Sequence, residues 1–201
     1  MILSQKHRFI FIKTNKTAGT SVEIALSRQC GEGDIITPLL QEDEALRREG
    51  GGRRPQHMKA PKGCDGPHRF AKLKNGDKVM LRFFNHMAAS ELLTVIKPAV
   101  WDDYFTFCVE RNPWDRVASY YHYGTAHEDD PCDFTTFLLG DSLPFLKWLG
   151  RDLSTIDGKV TVDKVCSYEN LEEDLREVFE AVGIDARVNL PRAKSGFLPG
   201  G

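Results

Sequence analysis

A short apolar run near the start of the chain leads directly into a loop of small and hydroxylated residues. Phe9 to Ile12 are all apolar, Lys13 to Ser21 have the sequence K-T-N-K-T-A-G-T-S, and a helical pattern follows. This order predicts a strand, a turn and then a helix, whose first N–H groups have no partner inside the helix. Those donors lie at the positive end of the helix dipole and attract a phosphate or a sulfate. The sequence therefore predicts an anion-binding loop.

The order of residues distinguishes this loop from a Walker A motif. That motif has the form G-x-x-x-x-G-K-[ST], whereas here Lys16 precedes Gly19 by three positions. A lysine beside backbone donors adds a mobile positive charge, which can stabilise a leaving group. An ordinary strand-to-helix turn capped by Thr or Ser is the alternative interpretation.

A second strand-to-helix junction follows later in the chain. Phe105 to Val109 predict a buried strand, Asn112 a helix cap and Pro113 the first helical position. Arg111 then lies at the carboxyl end of a strand, the edge where open α/β sheets bind ligands. Ser119 follows eight residues later on the predicted helix. We expect Arg111 and Ser119 to hold one phosphate together.

Taken in order, the two motifs resemble those of sulfotransferases that use 3′-phosphoadenosine-5′-phosphosulfate (PAPS), and most of all the carbohydrate branch, which is Golgi-type and 2-O-sulfotransferase-like. The resemblance implies that the first motif holds the 5′-phosphosulfate and the second the 3′-phosphate. Tyr168 to Leu171 and a C-terminal segment are also similar to the family. Asn15 departs from it, because relatives commonly carry proline there. The implied cofactor-binding residues are Lys13, Lys16, Thr17, Ala18, Gly19, Thr20, Ser21, Arg111, Ser119, Lys194, Ser195 and Gly196.

A hydroxyl acceptor needs a base, and His86 is the histidine best placed to serve as one. Lys78 to Phe84 predict a strand, Asn85 a cap and Met87 to Ile96 a helix, so His86 falls on another strand-to-helix turn. The family resemblance also places a histidine here. Two alternatives stay open: His86 only caps or packs at the turn, or a carboxylate is the base, with Glu42, Asp43 and Glu44 as candidates.

The segment from about residue 47 to 77 is basic and lacks periodicity. From Arg47 to Lys78 there are ten Lys or Arg and three Asp or Glu, with several Gly and Pro among them. We predict a flexible loop or insertion here. It is either simply solvated or a lid that attracts an anionic acceptor through Arg47, Arg48, Arg53 and Arg54.

The length of the chain and its hydrophobic content predict a single domain over residues 1–201. The 41% hydrophobic content suits one sizeable core. Alternating strands and helices predict a three-layer α/β/α fold with a central, mostly parallel sheet. The resemblance refines this expectation to the P-loop NTPase-like sulfotransferase fold. Glu169 to Val182 predict a helix that packs on the core.

Several classes of protein are disfavoured. Five cysteines without a C-x-x-C pair argue against a disulfide framework and a zinc site, and His122 and His127 lack metal-ligand spacing. Hydrophobic runs are too short for a membrane span or signal peptide, so we expect a cytoplasmic enzyme, either a bacterial relative or a trimmed catalytic piece. We expect neither a metal nor a nucleic-acid partner.

Together these expectations predict in-line transfer of a sulfuryl group from PAPS to an acceptor hydroxyl, with a saccharide, possibly anionic, as acceptor. Lys16 faces the leaving phosphate, His86 takes the proton and 3′,5′-adenosine bisphosphate is the product. Two other functions remain open: a P-loop-type kinase that uses ATP and Mg²⁺, and a non-catalytic nucleotide binder.

Overall fold

A central five-stranded sheet organises the chain in the computed structural model, which describes residues 1–61, 69–72, 78–126, 128–140, 148 and 150–191. Its strands are β1 (Ile2–Ser4), β2 (Phe9–Ile12), β3 (Ile35–Ile36), β6 (Phe105–Glu110) and β9 (Lys164–Ser167), in the order β3-β1-β2-β6-β9. β1 is antiparallel to both neighbours, whereas β2, β6 and β9 are mutually parallel. The sheet is therefore mostly parallel, as predicted.

Seven labelled helices and two hairpins complete the described part of the chain. The helices are α1 (Gly19–Ser27), α2 (Gln41–Glu49), α3 (Ala89–Leu93), α4 (Pro98–Asp103), α5 (Pro113–Thr125), α6 (Phe134–Leu139) and α7 (Leu171–Ala181). β4 (Arg69–Lys72) pairs with β5 (Lys78–Leu81), and β7 (Thr155–Ile156) pairs with β8 (Lys159–Val160). Short 3-10 turns span Arg151–Leu153 and Tyr168–Asn170.

Both faces of the sheet are covered. Phe11 of β2 and Phe107 of β6 join a buried cluster with residues of α1 and α7. Ile12 and Cys108, the next residues along the same strands, belong to a second cluster that includes Leu92 of α3. Successive side chains of a strand point to opposite faces, so the two clusters lie on opposite sides of the sheet. This confirms the mixed α/β architecture.

The predicted junction after β6 is confirmed. Asn112 caps α5 by accepting a hydrogen bond from Trp114 N at 3.0 Å, and Pro113 is the first helical residue. α7 is shorter than predicted, because Tyr168–Asn170 form a 3-10 turn before it. Gly183, with φ of 67°, follows the end of the helix, where a left-handed residue is typical.

The predictions around His86 need correction. β5 ends at Leu81 rather than Phe84, because Arg82 N and Phe83 N both donate to Met58 O and the chain bends away from the strand pairing. The helix predicted from Met87 to Ile96 is the five-residue α3, and its N-cap is Ala88 instead of Asn85. His86 still lies on the turn between β5 and α3.

The loop predicted over residues 47–77 agrees with the structure at residues 50–61, which lie outside the helices and strands, but its described ends differ. Arg47 and Arg48 belong to α2, and Arg69 begins strand β4. Residues 62–68 and 73–77 lie outside the described residues. In the described residues, no helix has the length and apolar character needed to cross a membrane.

The burial of Arg47 removes one of the four arginines from the proposed acceptor lid. Arg47 is fully buried, and its guanidinium donates to Glu44 Oε1 at 2.9 Å and Thr37 O at 3.3 Å. Arg53 N donates to Ser27 O at the end of α1. The nine-residue helix places that end about 13 Å from the β2–α1 loop. Arg47 therefore supports the fold and does not contact an acceptor.

Candidate functional site

The β2–α1 loop (residues 13–18) has the backbone of an anion-binding turn. Lys16 and Ala18 both adopt left-handed conformations, with φ of 62° and 58°. Ala18 is the N-cap of α1, and no side chain caps the helix. The first-turn N–H groups of Gly19 and Thr20 are therefore not capped by the side chain of the N-cap residue. Left-handed residues in a turn bring successive N–H groups toward one point, which suits a phosphate or sulfate oxygen.

Two threonines fix this loop to the sheet. Thr14 donates its hydroxyl hydrogen to Val109 O at the end of β6, and its oxygen lies 2.8 Å from that of the Thr17 hydroxyl. Thr17 is fully buried, and its hydroxyl also donates to Thr14 O at 3.2 Å. Thr17 was predicted to bind the cofactor. Its side chain faces the inside of the loop, so only its backbone N–H is left for an anion.

Lys13 is buried behind the loop. Its ammonium lies 2.6 Å from Glu23 Oε2 in α1, and both side chains are almost completely buried. Burial alone raises the pKa of Glu23, but the charge of Lys13, followed by that of the Met1 amino group, outweighs it and lowers the pKa to about 2. Lys13 was predicted to contact the cofactor. Its ammonium instead neutralises a buried carboxylate.

Gly19 allows α1 to start against the side chain of Lys13. A Cβ atom on Gly19 would lie 2.7 Å from Lys13 Cγ and 3.3 Å from Thr14 O. Cβ atoms in real proteins essentially never lie as close as 2.7 Å to another heavy atom. This close approach explains why the first residue of α1 is a glycine.

Lys16 extends from the loop to α5. Its Nζ lies 3.8 Å from the centroid of the Tyr123 ring, a cation–π contact. Tyr123 lies four residues after Ser119, so both share one face of α5. Ser119 is half-buried on that face. This contact joins the two motifs that the sequence predicted to act together.

Arg111 lies on the turn between β6 and α5, as predicted. Its guanidinium carbon is 4.1 Å from the centroid of the Tyr168 ring. Its Nε is buried and has no hydrogen-bond partner within the described part of the chain. The Tyr168 turn is also tied to this junction, because Asn112 N donates to Glu169 Oε1 at 2.8 Å. Three turns at the carboxyl ends of β2, β6 and β9 thus lie at one edge of the sheet.

His86 lies against the same loop. It adopts a left-handed conformation, with φ of 56°, and its Nδ1 is 2.9 Å from Lys13 O. A carbonyl oxygen only accepts, so Nδ1 carries the hydrogen and the lone pair is on Nε2. Burial, then the charge of Lys13, lowers the pKa of His86 to about 4. The imidazole is therefore neutral at pH 7, the form that can accept a proton.

Other predicted site residues are held elsewhere or lie outside the described residues. Glu44 accepts from Leu39 N at 2.7 Å and from Arg47, and Asp43 is buried in α2. Glu44 and Asp43 are therefore held within the fold, whereas Glu42 is exposed on α2. Lys194, Ser195 and Gly196 lie outside the described residues. In the part of the chain that the structure describes, no three His, Cys, Asp or Glu residues are grouped to hold a metal ion.

Sequence reasoning missed two aromatic partners and one ion pair. Tyr123 and Tyr168 are visible in the sequence, but a tyrosine by itself does not indicate that a cation lies over its ring. The third is the pair of Arg116 and Glu110, 2.8 Å apart and partly buried. Gly150 leaves space for it, since a Cβ there would be 2.1 Å from Arg116 Nη2. The sequence does not indicate that Gly150, which is distant along the chain, makes room for the side chain of Arg116.

Comparison with known proteins gives one informative relative. No family model matches the chain, and no solved structure matches it. A protein of Archaeoglobus fulgidus with the name "Uncharacterized protein" is 34% identical over 99 residues, which cover 45% of this chain and 80% of the archaeal protein. At this identity and coverage, the chain belongs to the same family as that archaeal protein.

Proposed function

We propose that this protein is a sulfotransferase that moves a sulfuryl group from PAPS to a hydroxyl of an acceptor, within a P-loop-like sulfotransferase fold. The contact between Lys16 and Tyr123 carries the proposal. It brings the loop suited to one anionic group next to the helix face of Ser119, in the chain order that resembles the PAPS-binding motifs. Two anion-binding elements at one sheet edge suit a nucleotide that carries phosphates at two positions.

The residues present fit such a donor. The uncapped start of α1 and the Lys16 ammonium would hold the 5′-phosphosulfate. Arg111, with its unpartnered buried Nε, and Ser119 would hold the 3′-phosphate. When bound, PAPS supplies an activated sulfuryl group on a phosphate that leaves as part of 3′,5′-adenosine bisphosphate.

His86 is suited to accept the proton of the attacking hydroxyl. Its Nδ1 hydrogen is held by Lys13 O, which leaves Nε2 as the basic atom. Its low pKa in the protein without ligand keeps the ring neutral across the physiological range. An anionic donor beside the ring would raise that pKa and strengthen the base.

Lys16 has a separate role on the leaving-group side. Its ammonium is half-buried and makes a cation–π contact with Tyr123. A positive charge placed there can stabilise the negative charge that builds up on the leaving phosphate. The acceptor we propose is a carbohydrate hydroxyl, on the resemblance alone.

Calorimetric titration with 3′,5′-adenosine bisphosphate, compared with ATP in the presence and absence of Mg²⁺, tests the proposal. Binding of the bisphosphate without metal, and stronger than that of ATP, is the expected result and justifies screening of saccharide acceptors with PAPS. A preference for ATP with Mg²⁺ would point to a kinase and contradict the proposal. Bisphosphate binding with no sulfate transfer to any acceptor would point to a non-catalytic binder.

A further inference from the structure

We propose that Tyr123 is a positioning residue that holds the Lys16 ammonium ready for the 5′ group of the donor. This inference rests on the proposed function, because it assigns Lys16 to donor binding. It adds a residue outside the two motifs that carry the resemblance to the sulfotransferases.

The distance between the ammonium and the ring indicates a specific contact. Lys16 Nζ is 3.8 Å from the ring centroid of Tyr123, well inside the limit of about 6 Å for a cation–π interaction. Tyr123 is 38% exposed, and Lys16 is half-buried. Partial removal from water strengthens the attraction between a cation and a ring face.

The backbone at both ends of the contact is well defined. Lys16 has a left-handed backbone and lies in a turn that Thr14 and Thr17 fix to the sheet. Tyr123 lies in the last turns of α5, one turn after Ser119. The ring therefore holds the ammonium where the β2–α1 loop, assigned to the 5′ group, meets the helix that bears Ser119.

This contact matters for affinity because lysine has many side-chain conformations in water. Ordering such a side chain when a ligand binds opposes binding. A ring that already restricts the ammonium removes part of that cost, so Tyr123 strengthens donor binding without touching the donor. Tyr123 should have no effect once Lys16 has lost its charge.

A double-mutant cycle tests this dependence with 3′,5′-adenosine bisphosphate as the probe. Calorimetry would measure its dissociation constant for the unaltered protein, Lys16→Met, Tyr123→Leu and the double variant. We expect Tyr123→Leu to weaken binding about threefold to tenfold, in line with cation–π strengths, but to have no further effect in the Lys16→Met background. Tyr123→Phe keeps the ring and should recover most of the lost affinity.

Tyr104→Leu is the matched control, since Arg8 lies over the Tyr104 ring at 5.9 Å on the opposite edge of the sheet, before β6 begins. This variant should bind the bisphosphate as the unaltered protein does. The inference would be overturned if Tyr123→Leu lowered the affinity for the bisphosphate equally in the presence of Lys16 and in the Lys16→Met background. Tighter binding after Tyr123→Leu would also overturn it.

One measurement without nucleotide separates this inference from the proposed function. The ring current of Tyr123 should shift the Lys16 ε-CH₂ proton resonances upfield, and Tyr123→Leu should abolish the shift. The absence of this shift would refute the contact even if the bisphosphate binds. If the shift is present but the unaltered protein does not bind the bisphosphate, the donor site is refuted, and with it any role of Tyr123 in donor binding.

Discussion

Lys13 and Glu23 form a buried ion pair, with 2.6 Å between Nζ and Oε2, directly behind the loop that carries Lys16. Removing one partner of such a pair leaves the other charge in a medium of low polarity. Glu23→Gln should therefore destabilise the protein by about 3 to 5 kcal/mol in urea unfolding. The double variant Lys13→Met/Glu23→Leu should recover part of that loss. A double variant less stable than Glu23→Gln would contradict this account.

Acid should weaken the same pair in a defined range. The pKa of Glu23 is lowered from 4.5 to about 2 in the folded protein. The carboxylate therefore contributes its full stabilisation above about pH 4.5, and the contribution falls as the pH drops toward 2. Glu23→Gln should lack this part of the acid dependence, which unfolding curves at several pH values would reveal.

A methyl group at Gly19 should disrupt the start of α1. The added Cβ would lie 2.7 Å from Lys13 Cγ, and Lys13 is held by Glu23 and has little freedom to move. We expect Gly19→Ala to cost about 1 to 3 kcal/mol, as overpacking does elsewhere. Gly124→Ala in α5 is the control, because nothing lies within 4 Å of its Cβ. Equal melting temperatures for the two variants would argue against a tight contact at Gly19.

His86 should remain neutral well below the usual range for histidine. Its pKa is lowered from 6.5 to about 4, first by burial and then by Lys13. Between these values the unfolded chain binds a proton that the folded ring does not, so the free energy of unfolding should rise with pH across this window. NMR titration of the imidazole would measure the pKa directly. The rise should be smaller in His86→Gln, and a pKa near 6.5 would rule out the buried position.

Loss of the Lys16 charge should affect catalysis more than folding. Lys16→Ala should lower kcat for sulfuryl transfer by about 10²-fold or more, as at comparable electrostatic sites. Lys97→Ala, at an exposed position before α4, serves as the control and should leave kcat unchanged. An unaltered kcat in Lys16→Ala would remove Lys16 from the mechanism.

Arg111 should determine the affinity for the 3′-phosphate. Arg111→Ala is expected to weaken binding of 3′,5′-adenosine bisphosphate by about 2 to 5 kcal/mol, because a desolvated phosphate loses its charged partner. Adenosine 5′-monophosphate, which lacks the 3′-phosphate, should bind the variant and the unaltered protein with similar affinity. If the affinity for the bisphosphate does not change, the 3′-phosphate binds elsewhere.

The parts of the fold that the sequence predicted well are those with strong local signals. Phe9–Ile12 is a strand with the predicted bounds, since a fully apolar run suits a strand buried on both faces. Asn112 and Pro113 marked the start of α5 correctly, because capping chemistry is local. The turn with His86 was also found, although its cap was not.

The wrong predictions concern residues whose environment is set by distant segments. Arg47 is charged and lies in a basic stretch, so its sequence indicated an exposed loop, yet Thr37 O and Glu44 hold it inside. Lys13 was predicted to bind an anion, and the sequence did not indicate that Glu23 lies beside it. Local sequence does not record which charge is neutralised by a partner in another element.

One consequence of the contacts of Lys13 concerns motion. Its carbonyl holds His86, and its side chain is paired with Glu23 and lies against Gly19, so one residue connects the histidine, the loop and the first turns of α1. When thermal motion displaces the loop, the histidine ring and the helix start should move with it. The distance between the His86 ring and the N–H groups at the start of α1 should then fluctuate little. The position of each relative to the sheet should fluctuate more. Alignment for a reaction between them would then depend on one hydrogen bond and one ion pair rather than on the rigidity of the whole molecule.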